Sequence, residues 1–159
     1  YRFKLTVEEV LADRPVTYPL TRSMCAPVGD GAAAALLCSE TYLKTLPAAI
    51  QARAVRVPAT VMSGGKYRSL DEAGLSKVAA EKAYRQAGIT PAHIDVAEVH
   101  DATSFCELYQ AEMLGFCKLG EGGAFVEDGG TAITGQTPIN TSGGLQGSSR
   151  RRYGSVNDL

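Results

Sequence analysis

The sequence predicts an α/β fold, and three observations carry that reading. Leu75, Val78, Ala79, Ala83 and Ala87 form a helical stripe, followed shortly by the apolar run Ile94, Val96 and Val99. That run meets a second helical stripe of Phe105, Leu108, Tyr109 and Met113. Helical and strand patterns therefore alternate through the middle of the chain, which favours α/β over segregated strands and helices. At 159 residues the chain is long enough to bury roughly two-thirds of its unfolded surface.

The remaining elements follow in order. Thr6-Val7-Glu8-Glu9 is a capping-box pattern that predicts a short helix to about Ala12. Pro15 and Pro19 stop regular helix and carry the chain in extended form to Cys25. Val28-Gly29-Asp30-Gly31 predicts a turn. The apolar run from Ala32 to Cys38 is then either a buried strand or a helix, because periodicity alone does not separate the two. Ser39 suits the cap of a helix over about Glu40 to Leu46. Ala54 to Met62 alternates and carries β-branched residues, which predicts a strand with Pro58 at a bulge or edge; Ser63-Gly64-Gly65 ends it.

On the helix ending at Ala87, Glu81 and Arg85 are spaced to pair, and Gly88 suits the position just past the end. Thr90-Pro91 predicts a cap followed by proline at the first helical position. Asp101 is read as the cap of the helix that follows it. Beyond Gly115 the glycines multiply, which predicts turn-rich backbone holding short strands, with Phe125, Val126, Ile133 and Ile139 needing burial.

Bulk properties exclude several classes. A net charge of -1 argues against a nucleic-acid binder, and no apolar run is long enough to span a membrane. No signal segment opens the chain, which begins at Tyr1 and reads as part of something longer or as a trimmed product. Cys25, Cys38, Cys106 and Cys117 lie at scattered spacings without Cys-x-x-Cys. They read as reduced thiols in a cytoplasmic setting. No ligand spacing for a metal is present. The Gly-Gly pairs do not match a phosphate-binding loop.

The segment Ala97-Glu98-Val99-His100-Asp101-Ala102-Thr103 carries the chemistry. His100 is expected at the carboxyl end of a strand, facing the start of a helix, where open α/β sheets place their ligands. An imidazole there can hold, polarise or protonate a developing oxyanion. A satisfied buried histidine is the competing reading from position alone. His93, in a turn, is expected to be exposed and without a role.

These residues resemble the thiolase family. Met24-Cys25-Ala26-Pro27-Val28-Gly29-Asp30-Gly31-Ala32-Ala33-Ala34 is similar to the Ser-Asp-Gly-Ala-Ala segment that opens the C-terminal half of thiolases. His100-Asp101-Ala102-Thr103 is closer to the His-Asp-x-Phe of sterol-carrier-protein and lipid-transfer-protein types than to the Asn-Glu-Ala-Phe of biosynthetic thiolases. The run from Gly115 to Gly129 resembles the same subgroup, as does Pro138-Ile139-Asn140-Thr141-Ser142-Gly143-Gly144-Leu145.

The resemblance implies a mixed sheet covered by helices, formed by residues 1–145, and a Claisen-type reaction on acyl-coenzyme A thioesters without a tightly bound cofactor. His100 would help form an oxyanion hole, and Ser142, Gly143 and Gly144 would lie beside the substrate. Some relatives act instead as retro-aldolases on steroid side-chain thioesters with a small partner domain, and the full-length family forms homo-oligomers.

Two departures from the family matter. None of the four cysteines matches the nucleophile of the family's N-terminal half. After Gly144 the family continues into Gly-His-Pro, whereas this chain reads Gln146-Gly147-Ser148-Ser149-Arg150-Arg151-Arg152 and has no histidine after His100. Residues 146–159 are therefore expected to be a divergent, disordered basic tail. The expectation is a thiolase-like acyltransferase fragment, inactive by itself. The alternatives are a retro-aldolase subunit and a non-catalytic lipid- or thioester-binding module.

Overall fold

The computed structural model describes residues 5–145 except 66, 70 and 71. The predicted tail at 146–159 lies outside the described residues.

Helix α1, Val7–Ala12, opens with the expected capping box: the Glu9 amide donates to Thr6 Oγ1 and the Thr6 amide donates to Glu9 Oε2. Strands β1, Pro15–Thr17, and β2, Leu20–Thr21, form an antiparallel hairpin, so the proline-rich stretch is a tight reversal and not one extended run. A 3-10 turn, Arg22–Met24, follows.

Asp13 ties this corner together. Its carboxylate accepts from the Arg14 amide at 2.7 Å, from Ser23 Oγ at 2.5 Å and from Arg22 Nη2 at 2.9 Å. These bonds, led by Ser23, hold its pKa down at about 2. Because the folded value is depressed, this contribution to stability is present above the ordinary aspartate range. It is lost as pH falls toward 2. Ser23→Ala is expected to raise the Asp13 midpoint toward the ordinary range in a carboxyl-carbon NMR titration; an unmoved midpoint would show that Ser23 does not set it.

Helices α2, Glu40–Leu43, and α3, Ala48–Gln51, replace the single predicted helix, because Pro47 ends the first and serves as the N-cap of the second. Ser39 caps α2 as expected, accepting from the Tyr42 amide at 3.1 Å. The predicted strand from Ala54 to Met62 is not formed, and Ala32 to Cys38 is neither strand nor helix. A strand needs a laddered neighbour, and these segments have none among the described residues, leaving Leu36, Leu37, Val55 and Met62 exposed.

Helix α4, Leu75–Ala87, matches the predicted stripe and ends at Gly88 in the left-handed conformation. Glu81 and Arg85 do not form the ion pair that their spacing allows. Thr90-Pro91 starts a 3-10 turn over Pro91–His93. Helix α5, Ser104–Met113, is capped by Thr103, whose Oγ1 accepts from the Cys106 amide. Asp101 does not cap it, which corrects the sequence reading; its carboxylate is engaged elsewhere.

Helix α6, Gly122–Glu127, stands where short strands were expected. Tertiary contact explains it: the Gly122 amide donates to Glu112 Oε1 at 3.0 Å, and Gly122 packs closely on the Leu108 carbonyl. A glycine-rich pattern gives no hint of such long-range capture.

The architecture is α/β, combining helices with a small two-stranded sheet among the described residues. Beyond the hairpin, two isolated bridges pair Cys25 with Thr103 and, in parallel, Ala97 with Ile139. The core is Ala111, Phe116 and Ile139, with Ile94, Ala97, Val99, Leu114, Cys117 and Phe125 packed against it. Tyr84 Oη donates to the Leu114 carbonyl at 2.9 Å and joins α4 to the end of α5.

Candidate functional site

The Ala97–Ile139 bridge positions the site. Ala97 N–H donates to the Pro138 carbonyl at 3.0 Å, and Asn140 N–H donates to the Ala97 carbonyl at 2.8 Å. Residues 97–101 and 138–145 therefore run side by side. Sequence reading treated them separately; the structure joins them.

The joint is made largely by carboxylates. Glu98 accepts from Ser142 N–H at 2.9 Å, Ser142 Oγ at 2.7 Å and Thr141 Oγ1 at 3.3 Å. Those bonds, the Ser142 amide first, lower its pKa. Asp101 is 4% exposed and accepts from Leu145 N–H at 2.6 Å. Glu107, half-buried on α5, accepts from Asn140 Nδ2 at 3.2 Å. Burial pushes the Glu107 pKa up and the charge of Asp101 adds to that effect, while the Asn140 hydrogen bond opposes it. Asn140 adopts φ 54° and closes the network by accepting from Val99 N–H through Oδ1 at 2.8 Å.

His100 is exposed and lines an open cavity of about 390 Å³ between α4, α5 and the 98–100 segment. Val61, Ala79, Ala83 and Leu114 give that cavity an apolar wall, and Ser76, Glu98 and Gln110 give it polar points. Its size falls within the ordinary range of small-molecule pockets. The His100 ring makes no hydrogen bond among the described residues, so it is not a satisfied core histidine. The lining does not include Ser142, Gly143 or Gly144.

Those three residues are held from within the chain. Ser142 gives its amide and hydroxyl to Glu98, and the Gly143 amide donates to the Asn140 carbonyl. The Gly144 amide, like that of Thr141, has no acceptor among the described residues. His100 and Gly144 flank Asp101, whose carboxylate packs directly against Gly144.

Glu98, Glu107 and Asn140 were missed by the sequence reading. Their one local signal was an asparagine ahead of Ser-Gly-Gly, a residue that tolerates the left-handed region.

The remaining candidates are structural. His93 is exposed, and its Nδ1 accepts from the Thr90 amide at 3.1 Å, so it completes a turn. The four cysteines are unpaired. Burial, with help from Glu112 and Glu121, raises the Cys117 pKa and keeps that group a thiol. No cluster of metal-ligating side chains occurs among the described residues, and no helix there is long and apolar enough to cross a membrane.

The chain is similar to known proteins along most of its length. A profile of the family described as "Thiolase C-terminal domain-like" matches residues 62–156. Sterol carrier protein 2 of Oryctolagus cuniculus is 38% identical over 153 residues, covering 91% of this chain and 28% of that protein. Acetyl-CoA acetyltransferase of Methanocaldococcus jannaschii is 39% identical over 157 residues, covering 92% of this chain and 38% of that protein. Benzoylsuccinyl-CoA thiolase subunit BbsB of Thauera aromatica is 32% identical over 149 residues, covering 91% and 38%. A solved chain, "Ltp2-ChsH2(DUF35) aldolase", shares the fold with a TM-score of 0.66 at 24% identity, covering 92% of this chain and 40% of that one. The chain therefore spans only between 28% and 38% of the length of these curated relatives.

Proposed function

This chain belongs to the thiolase C-terminal domain-like family, and from that premise we propose that it supplies part of an acyl-coenzyme A thioester site in a thiolase-like enzyme. The observation that carries this reading is an exposed His100 ring, unbonded among the described residues, at an open cavity, with the Gly144 amide likewise without an acceptor among those residues. Such donors can stabilise the enolate oxygen of a thioester, and losing one typically costs on the order of 10²–10³ in turnover. Ser142 and Gly143 shape the loop, and Gly144 offers the second donor.

By itself the chain is expected to bind acetyl-CoA weakly and to leave it intact. Burial and the charges of Glu112 and Glu121 keep Cys117 a thiol, and the second histidine, His93, is spent on a turn. Titrating acetyl-CoA should shift the His100 ring resonances, with the shift absent in a cavity-blocking Ala79→Phe variant. Clear thioester cleavage by residues 1–159 that survives His100→Ala would overturn the reading, as would His100 resonances indifferent to the ligand.

A second reading is supported by the exposed apolar residues of 28–62: the domain is a non-catalytic module that acts through association. It shares the cavity but assigns His100 no chemistry, so His100→Ala would then leave the turnover of a complete assembly unchanged.

A further inference from the structure

We infer that Glu107 is a positioning residue that sets the orientation of the Asn140 side-chain amide, and through it holds the Val99 peptide next to His100. The geometry is directional. Asn140 Oδ1 accepts from Val99 N–H at 2.8 Å while its Nδ2 donates to Glu107 Oε2 at 3.2 Å. An ionised carboxylate only accepts, so it forces the NH2 group of Asn140 toward α5 and the carbonyl oxygen toward Val99. Were the amide to flip, its NH2 group would meet the Val99 N–H and its oxygen would meet a carboxylate. Both hydrogen bonds would be lost.

The backbone of Asn140 is already fixed by its own N–H to the Ala97 carbonyl at 2.8 Å and by φ 54°. Amide orientation is thus the remaining freedom, and Glu107 removes it. Two other carboxylates bear on this point among the described residues. Asp101, buried and bonded to Leu145, places its negative charge near Glu107, and Glu98 lies along the same loop on Ser142. Burial makes Glu107 easier to protonate than an ordinary glutamate. A neutral Glu107 can donate as well as accept, so the constraint on Asn140 relaxes as this group takes up a proton.

The functional consequence rests on the proposed role of His100, but the test does not. In 15N spectra of the chain without ligand, the Val99 amide and the Asn140 side-chain NH2 should move together with pH, with one midpoint above the ordinary glutamate value. Glu107→Leu should abolish that step and shift the Val99 amide. Glu107→Gln should abolish the step yet restore the Val99 position, a rescue that simple packing would not produce. Asp101→Asn should lower the midpoint and keep the step. Val99 and Asn140 signals that ignore pH in the wild-type chain, or Gln and Leu variants with the same Val99 shift, would overturn the inference. Acetyl-CoA-induced shifts at His100 are scored separately, so failure of the thioester reading leaves this result standing.

Discussion

Replacing Gly144 by alanine is expected to destabilise the domain by about 2–4 kcal/mol, from left-handed backbone strain plus a disturbed buried hydrogen bond. Gly144 has φ 54°, a region that side chains with a Cβ enter at a cost. A Cβ built there would lie 2.8 Å from Asp101 Cγ and 2.9 Å from Oδ1. Asp101 cannot yield cheaply, because it is buried and holds the Leu145 amide at 2.6 Å. Moving it strands that amide and loosens the segment carrying His100. Gly123 supplies the contrast: it lies in α6 with open space where a Cβ would go. Gly123→Ala should be neutral or slightly stabilising, by up to about 1 kcal/mol. Urea unfolding of the two variants checks both; equal midpoints for Gly144→Ala and wild type would remove Asp101 and Gly144 from the structural core of the site.

The reach of the sequence differs sharply between its local and long-range signals. Thr6, Ser39, Gly88 and the Thr90-Pro91 pair announced their elements because capping depends on neighbours three or four residues away. The stripe from Leu75 to Ala87 was legible for the same reason. Asp101 was misread as a helix cap because its partner, Leu145, lies far along the chain, while Thr103 stood closer to the helix and took the role. Helix α6 was hidden because Glu112, on another helix, supplies the acceptor for Gly122. In the site, the family resemblance pointed to His100 and to Ser142-Gly143-Gly144. It gave no sign that Glu98 occupies Ser142 or that Asn140 joins the two segments. Such pairings are set by the Ala97–Ile139 bridge, and a bridge between residues so far apart leaves no periodic trace.

The predicted strands that did not form lead to the other large expectation, that the purified chain self-associates. Val28, Leu36, Leu37, Val55 and Met62 are exposed at 104%, 103%, 84%, 88% and 91%. Fully covering one Leu or Met side chain contributes about 1.5–3 kcal/mol, so covering most of these five between copies is comparable to the roughly 4–15 kcal/mol of freedom lost on association. Exposed apolar residues concentrated in one stretch of the chain are what an interaction face presents. The chain at tens of micromolar should therefore sediment above its monomer mass and bind a hydrophobic dye strongly. Leu36→Lys combined with Met62→Lys should weaken association at least tenfold while leaving α4, α5 and the Glu98–Ser142 contacts unchanged in amide spectra. A monodisperse monomer with a sharp cooperative melt would instead mean that these segments find cover within the chain itself, and the association reading of the domain would fall with it.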